Sequence, residues 1–148
     1  MSWDDLRKGR FSQPHREYFI TFNCQNRRRL FTNFELAQIF CHQLCMNERK
    51  YDYCWLVWVL MPEHFHGILQ LGCSELSKVI GTLKGASAKG INEKLNCNSK
   101  VWQPSFYDHA LRKEENRIKI ARYIVANPLR KKLVKNIGDY PYWNSVYL

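Results

Sequence analysis

The chain has 148 residues, 45% hydrophobic and 24% charged, which favours one domain, 1–148, with a single hydrophobic core. No apolar run has the length of a transmembrane helix, and residues 1–10 lack the apolar stretch of a signal peptide, so we expect a cytoplasmic protein without membrane contact. The excess of 23 Lys and Arg over 13 Asp and Glu, a formal charge of +10, favours nucleic acid as partner, with an anionic membrane second.

The first predicted elements are a strand and a helix. Residues 1–16 are polar and are expected to be loosely ordered. Residues 18–22, which are β-branched and aromatic, predict a strand. Asn33 is a suitable helix cap, and the residues after it place an apolar side at helical spacing: Leu36, Ile39, Phe40 and Leu44.

A β-hairpin is predicted in the middle of the chain. Residues 53–60 form an almost continuous apolar run, typical of a central strand covered on both faces, and we expect Cys54 to be a small core residue there. Pro62 ends this strand because proline cannot donate to a ladder. A second strand follows over 64–71, and the short connection favours an antiparallel pairing.

The last third of the chain predicts two further helices. Ser74 is expected to cap the first, whose apolar side is Leu76, Val79, Ile80 and Leu83. Residues 90–105 predict an irregular loop, with a short strand near Phe106. The second helix is expected over 113–126, ended by Asn127 and Pro128, and the aromatic tail is expected to pack on the body.

This order of elements predicts an α+β fold, in which a ferredoxin-like antiparallel sheet carries helices on one face. The six cysteines form no CxxC pair, so we expect reduced thiols rather than a zinc ribbon.

Two histidines flank one apolar residue in the predicted second strand of the hairpin. Because strand side chains alternate, His64 and His66 point to one face while Phe65 points to the other. Two imidazoles so placed suit a divalent metal, although two surface histidines without a function have the same pattern. Gly67 is expected to let another backbone or a substrate approach closely.

The helix over 113–126 has a polar stripe. Tyr123 and Asn127, four residues apart, lie on it with Asn116 and Lys119, opposite the side of Ile118, Ala121 and Val125. A phosphate could meet such a stripe, whereas the ordinary alternative is a tyrosine packed at the margin of the core.

The two motifs together resemble a known family. His64-Phe-His66 after an apolar strand, and Tyr123-Ile-Val-Ala-Asn-Pro at the end of a basic helix, resemble the single-tyrosine HUH transposases, most of all the REP-associated tyrosine transposases of bacteria. The resemblance covers about residues 18–147. It implies a site on the open face of the sheet and, as substrate, single-stranded DNA near a hairpin or palindromic repeat. It also favours a monomer over a homodimer, and a bacterial, nucleoid-associated protein.

The resemblance also implies roles for individual residues. Tyr123 matches the nucleophile, and His64 and His66 match the metal ligands. Asn127 stands where classical insertion-sequence members carry a glutamine that completes the metal site. The metal implied is Mg²⁺ or Mn²⁺, of which Mn²⁺ suits imidazole better. The implied reaction is strand transfer through a 5′-phosphotyrosine, which needs no ATP because the energy of the broken bond is kept.

Contacts to DNA are expected from basic and aromatic side chains. The candidate phosphate contacts are Arg27, Arg28, Arg29, Lys84, Lys119, Arg130, Lys131 and Lys132. Trp102, Phe106 and Tyr107 suit either base stacking or the core.

Two other classes of protein compete with this interpretation. One is a nucleic-acid-binding protein without catalysis, and the other is an oxygenase or hydrolase that uses the histidines with a carboxylate. Glu63 is the nearest carboxylate, but strand alternation predicts that it points to the opposite face.

Overall fold

A computed structural model describes residues 12–148. Their helices and strands follow in the order β1 Glu17–Asn23, α1 Phe34–Lys50, β2 Tyr53–Leu60, β3 His64–Leu71, α2 Leu76–Leu95, β4 Tyr107–Ala110, α3 Arg117–Val125, α4 Asn127–Arg130 and β5 Trp143–Ser145. The strands form one antiparallel sheet in the order β4-β1-β3-β2-β5. Within it, α1 connects β1 to β2 and α2 connects β3 to β4, so the predicted α+β, ferredoxin-like fold is confirmed.

One face of the sheet is covered by the two long helices. Side chains of β1 and β3 pack there against α1 and against Trp102. The four aromatic residues of this cluster are each at most 5% exposed: Phe22, Phe40, Phe65 and Trp102. Their rings contact one another at centroid distances between 4.9 and 6.2 Å. This aromatic cluster fixes the hairpin of β2 and β3 against the helices.

The opposite face carries the two histidines, and we call it the histidine face. The short helix α3 lies on part of it, packing Ala121, Ile124 and Val125 against the sheet side chains Val57, Val59 and Ile68. Strand β2 is thus covered on both faces, as its apolar sequence predicts. The prediction for Cys54 was wrong: its side chain is exposed, because it alternates with the buried Tyr53 and Trp55 near the start of the strand.

Helix α1 begins as predicted, since the side chain of Asn33 accepts a hydrogen bond from the Leu36 amide. Ser74 does not cap α2; its hydroxyl accepts from the Asp52 amide, and the amide of Leu76 donates to Ser12 instead. The helix begins one residue later, at Leu76.

Two helix boundaries differ from the predictions for tertiary reasons. Helix α2 continues to Leu95 because Gly90 lies directly against Ile39 of α1, where a Cβ would approach to 2.8 Å, and Ile91 is fully buried. Helix α3 begins only at Arg117, capped by Asn116, because Glu115 is held in the preceding turn by Arg112.

The prediction that residues 1–16 are loosely ordered concerns mainly residues 1–11, which lie outside the described residues. In the described part, His15 and Arg16 exchange backbone hydrogen bonds with Leu71. No helix among residues 12–148 is long and apolar enough to cross a membrane.

Candidate active site

The two histidines lie side by side on β3. Their ring centroids are 4.4 Å apart and their planes meet at 75°. His64 is buried and His66 half-buried, while Phe65 between them is fully buried in the opposite core. The strand alternation that the sequence predicts therefore brings both imidazoles to one face.

Each imidazole is held by a hydrogen bond at Nδ1. The Thr21 hydroxyl lies 2.7 Å from Nδ1 of His66, and a Glu63 carboxylate oxygen lies 2.7 Å from Nδ1 of His64. Within residues 12–148, neither Nε2 atom has a hydrogen-bond partner. Metal-binding histidines use this arrangement, in which a partner on one nitrogen holds the ring and leaves the other nitrogen to the metal.

Burial keeps both imidazoles neutral at ordinary pH. Desolvation lowers the pKa of His64, although the neighbouring Glu63 partly opposes the effect. It lowers the pKa of His66 to about 3, helped by His64 and by the positive charges of Arg130 and Arg27. Neutral imidazole is the form that binds a metal ion, because the protonated ring has no free lone pair.

The expected position of Glu63 was wrong. This residue lies in the turn before β3, where strand alternation does not apply, and its carboxylate turns back to His64. It also lies 3.6 Å from a guanidinium nitrogen of Arg27. Glu63 therefore holds the His64 ring by a hydrogen bond at Nδ1.

Gly67 allows the neighbouring strand of the sheet to approach closely. A Cβ at this position would lie 2.8 Å from the Trp55 ring and 2.9 Å from the backbone oxygen of Val57. The approaching backbone is that of β2, next to the irregularity in the β2–β3 register between Trp55 and Val57.

Tyr123 projects from the outer side of α3. Its side chain is 61% exposed, whereas Ala121, Ile124 and Val125 of the same helix are buried against the sheet. The polar stripe predicted from the sequence thus faces outward at Tyr123, although Ile118, expected on the buried side, is also exposed.

Arg130 holds the tyrosine from α4. Its guanidinium carbon lies 3.9 Å from the centroid of the Tyr123 ring, and one of its nitrogens donates to the Tyr123 carbonyl at 2.7 Å. Because the Arg130 charge also lowers the pKa of His66, this side chain lies within electrostatic range of both the tyrosine and the histidine.

Asn127 is buried at the junction of α3 and α4. Pro128 follows it at the start of α4, and because proline has no amide hydrogen, the helix is interrupted here rather than ended. The side-chain nitrogen of Asn127 is buried and has no partner within the described residues. An unpaired buried N–H group is costly, so the position suits a bound hydrogen-bond acceptor, whereas a metal ion could bind only the side-chain oxygen of Asn127.

These side chains fit a divalent metal ion. They provide two neutral imidazoles with unpartnered Nε2 atoms, while residues 12–148 contain no cluster of three His, Cys, Asp or Glu. So few protein ligands correspond to an open catalytic site, in which substrate oxygens and water complete the coordination.

The predicted phosphate contacts fall into three groups. Arg27, Arg130 and Lys131 are exposed, and their charges act on the histidine pair. A second group is also exposed, and in it Arg28 donates to the Lys100 carbonyl: Arg28, Arg29, Lys119 and Lys132. Lys84 instead donates to the backbone oxygens of Gln103 and Ser105 at 2.8 and 2.5 Å, so its ammonium group holds a loop.

The aromatic candidates also separate. Trp102 is 5% exposed and belongs to the core, with its indole nitrogen donating to Ser87. Tyr107 is 60% exposed, and Phe106 is partly buried. The role of Thr21 had no signal in the sequence, because it depends on the pairing of β1 with β3, which places Thr21 opposite His66.

Comparison with known proteins identifies the class to which this fold and site belong. The model of the IS200-like transposase family matches residues 12–127, and the chain therefore belongs to that family. It is 29% identical over 129 residues to the REP-associated tyrosine transposase of Escherichia coli K12, covering 84% of this chain and 73% of that protein. The resemblance stated from the sequence is confirmed.

Solved structures agree with this assignment. A REP-associated tyrosine transposase bound to a REP hairpin is similar with a TM-score of 0.71 and 26% identity, covering 90% of this chain and 79% of that one. A protein of Deinococcus radiodurans, 22% identical, has a TM-score of 0.56 and covers 79% of this chain and 94% of its own, which shows the fold alone.

Proposed function

We propose that this chain nicks and rejoins single-stranded DNA at hairpin repeats, in a metal-dependent reaction with Tyr123 as nucleophile. The observation that carries the proposal is the pair of unpartnered Nε2 atoms of His64 and His66 on the sheet face on which the helix of Tyr123 packs. The solved relative that is bound to a REP hairpin supports hairpin DNA as the substrate.

His64 and His66 would hold the metal, Mn²⁺ or Mg²⁺, with the side-chain oxygen of Asn127 as a third ligand. A bound divalent cation supplies Lewis-acid polarisation of the scissile phosphate. Thr21 and Glu63 keep the two Nε2 lone pairs directed at that position by holding each Nδ1. Arg27, Arg130 and Lys131 attract the DNA backbone to the same face.

The reaction balances without an energy source. The Tyr123 oxygen forms a bond to phosphorus and releases its proton to solvent, eased by the positive charge of Lys119 one helical turn away. The bond from phosphorus to the 3′ oxygen breaks, and that oxygen takes up a proton to give a free 3′ hydroxyl. The 5′-phosphotyrosine remains a diester, so attack by another 3′ hydroxyl restores DNA and frees the tyrosine.

We also propose that the active unit is a monomer. The packing of α3, the helix that carries Tyr123, on the sheet of its own chain supports this proposal. Light scattering of the protein–hairpin complex should give the mass of one chain with one hairpin. The mass of two chains with two hairpins would contradict the proposal.

The test is adduct formation on a DNA hairpin with single-stranded flanks, in Mn²⁺, followed by denaturing electrophoresis. The wild type and Tyr107→Phe should form a covalent protein–DNA band, whereas Tyr123→Phe and a reaction with chelator should not. Because Tyr123 is exposed, removing its hydroxyl should leave both the melting temperature and DNA affinity unchanged. Normal hairpin binding by the wild type without any adduct would identify a binding protein instead.

A further inference from the structure

A small pocket lies at the edge of the sheet, and Thr21, the hydrogen-bond partner of His66, is one of its lining residues. It has a volume of about 190 Å³ and is formed by the end of β1 and the segment that leads into β4, including Thr21, Asn23, Gln103, Ser105, Phe106 and Tyr107. Ligand sites for whole small molecules are usually larger, about 300–1,000 Å³. The space therefore suits one flat ring rather than a complete nucleotide.

The wall of this pocket is held in place before any ligand arrives. Lys84 of α2 donates to the carbonyls of Gln103 and Ser105, and the Gln103 amide donates to the Asn23 carbonyl at 2.9 Å. Ser105 adopts a φ of 67°, which a residue with a side chain keeps only when its surroundings enforce it. Its hydroxyl oxygen is buried and has no partner within the described residues.

Aromatic rings lead from the pocket to the histidines. The ring of Tyr107 meets Phe19 edge-on at a centroid distance of 6.3 Å, and Phe19 lies 5.9 Å from the His66 ring. Thr21 pairs with both Tyr107 and His66 in the sheet register, so these three side chains occupy one row on the histidine face. Adjacent strands are about 5 Å apart, which places Tyr107 about 10 Å from His66.

We propose that this pocket binds one unpaired nucleobase of the cleaved strand, stacked on Tyr107. The inference rests on the proposed function and adds a subsite to it: the base belongs to a nucleotide within one or two positions of the phosphate held at His64 and His66. The ring of Tyr107 is exposed and is contacted edge-on by Phe19, so its face offers a stacking surface to any base. The side chain of Asn23, which lines the pocket, offers hydrogen bonds to its edge.

The test measures binding without catalysis. The full chain is titrated, in the presence of chelator, into a DNA hairpin with single-stranded thymidine flanks. The titration is repeated with a series of hairpins that each carry one abasic site, at a different position of the flanks. Tyr107→Leu should lower the affinity for intact DNA by roughly 5- to 150-fold, the range for loss of one stacked base. One abasic position should lower wild-type affinity similarly, and at that position Tyr107→Leu should add no further loss.

Matched variants separate stacking from folding. Tyr107→Phe keeps the ring and should bind like the wild type, and Phe34→Ala removes an equally exposed aromatic ring from α1 and should have no effect. Wild-type affinity of Tyr107→Leu, or the same loss at every abasic position, would overturn the subsite. Because chelator prevents cleavage, a positive result stands even if Tyr123 forms no adduct, and an adduct without dependence on Tyr107 refutes the subsite alone.

Discussion

The hydroxyl of Thr21 provides a sharp test of how the histidines are held. Its oxygen lies 2.7 Å from Nδ1 of His66, and it is the partner that fixes this ring within the described residues. Thr21→Val removes the hydrogen bond while keeping a β-branched side chain of similar shape, which β-strands accommodate well. The His66 ring then loses the hydrogen bond that holds its orientation, although both proposed histidine ligands remain.

The expected effect is a loss of metal affinity with little loss of fold. Removal of such a supporting partner typically lowers metal affinity about 10- to 100-fold, or roughly 1.4–2.7 kcal/mol. Isothermal titration calorimetry with Mn²⁺ measures this directly, with melting temperature as the check on folding. Thr21→Ser keeps the hydroxyl and should retain most of the affinity. Equal affinities for wild type and Thr21→Val, or equal losses for both variants, would refute the reasoning.

Three further outcomes are expected. Asn127→Leu removes the side-chain oxygen and should weaken Mn²⁺ binding in the same titration, whereas Asn127→Gln keeps an amide oxygen and should retain it. Unchanged binding by both variants would exclude Asn127 as a ligand. Arg130→Ala removes the contact with the Tyr123 ring and should slow adduct formation, measured in a single-turnover assay, more than it weakens DNA binding, measured by titration. Equal fold-losses in adduct rate and DNA affinity would assign Arg130 to phosphate binding alone. If Arg27, Arg130 and Lys131 neutralise three phosphates, log affinity for single-stranded DNA should fall against log salt with a slope of about −2, and a flat titration would contradict this.

Local sequence patterns account for most of the fold. The alternation at His64, Phe65 and His66, the cap at Asn33 and the apolar run of β2 each act within a few residues, so the sequence alone predicts them correctly. The end of α2 was not predictable in this way, because it depends on the close contact of Gly90 with Ile39 in another helix.

The supporting residues of the candidate site were harder to predict than the histidines they support. Thr21 reaches His66 only through the pairing of two strands that are distant in sequence. Glu63 lies outside the strand, so the periodicity that correctly places its neighbours gives the wrong direction for its own side chain. Lys84 belongs to a basic pattern that is typical of DNA-binding surfaces, yet its ammonium group donates to the loop carbonyls of Gln103 and Ser105.

The central claim is that Tyr123 links to the 5′ end of a cut strand, and mass spectrometry of the trapped adduct tests it most directly. The hairpin DNA carries a different label at each end, and the adduct is digested with protease before analysis. We predict that the 3′-labelled fragment is attached through its 5′ phosphate to the peptide containing Tyr123, while the released fragment ends in a 3′ hydroxyl that a polymerase can extend. Attachment to the peptide of Tyr107, or an adduct that carries the 5′-labelled fragment, would contradict the account.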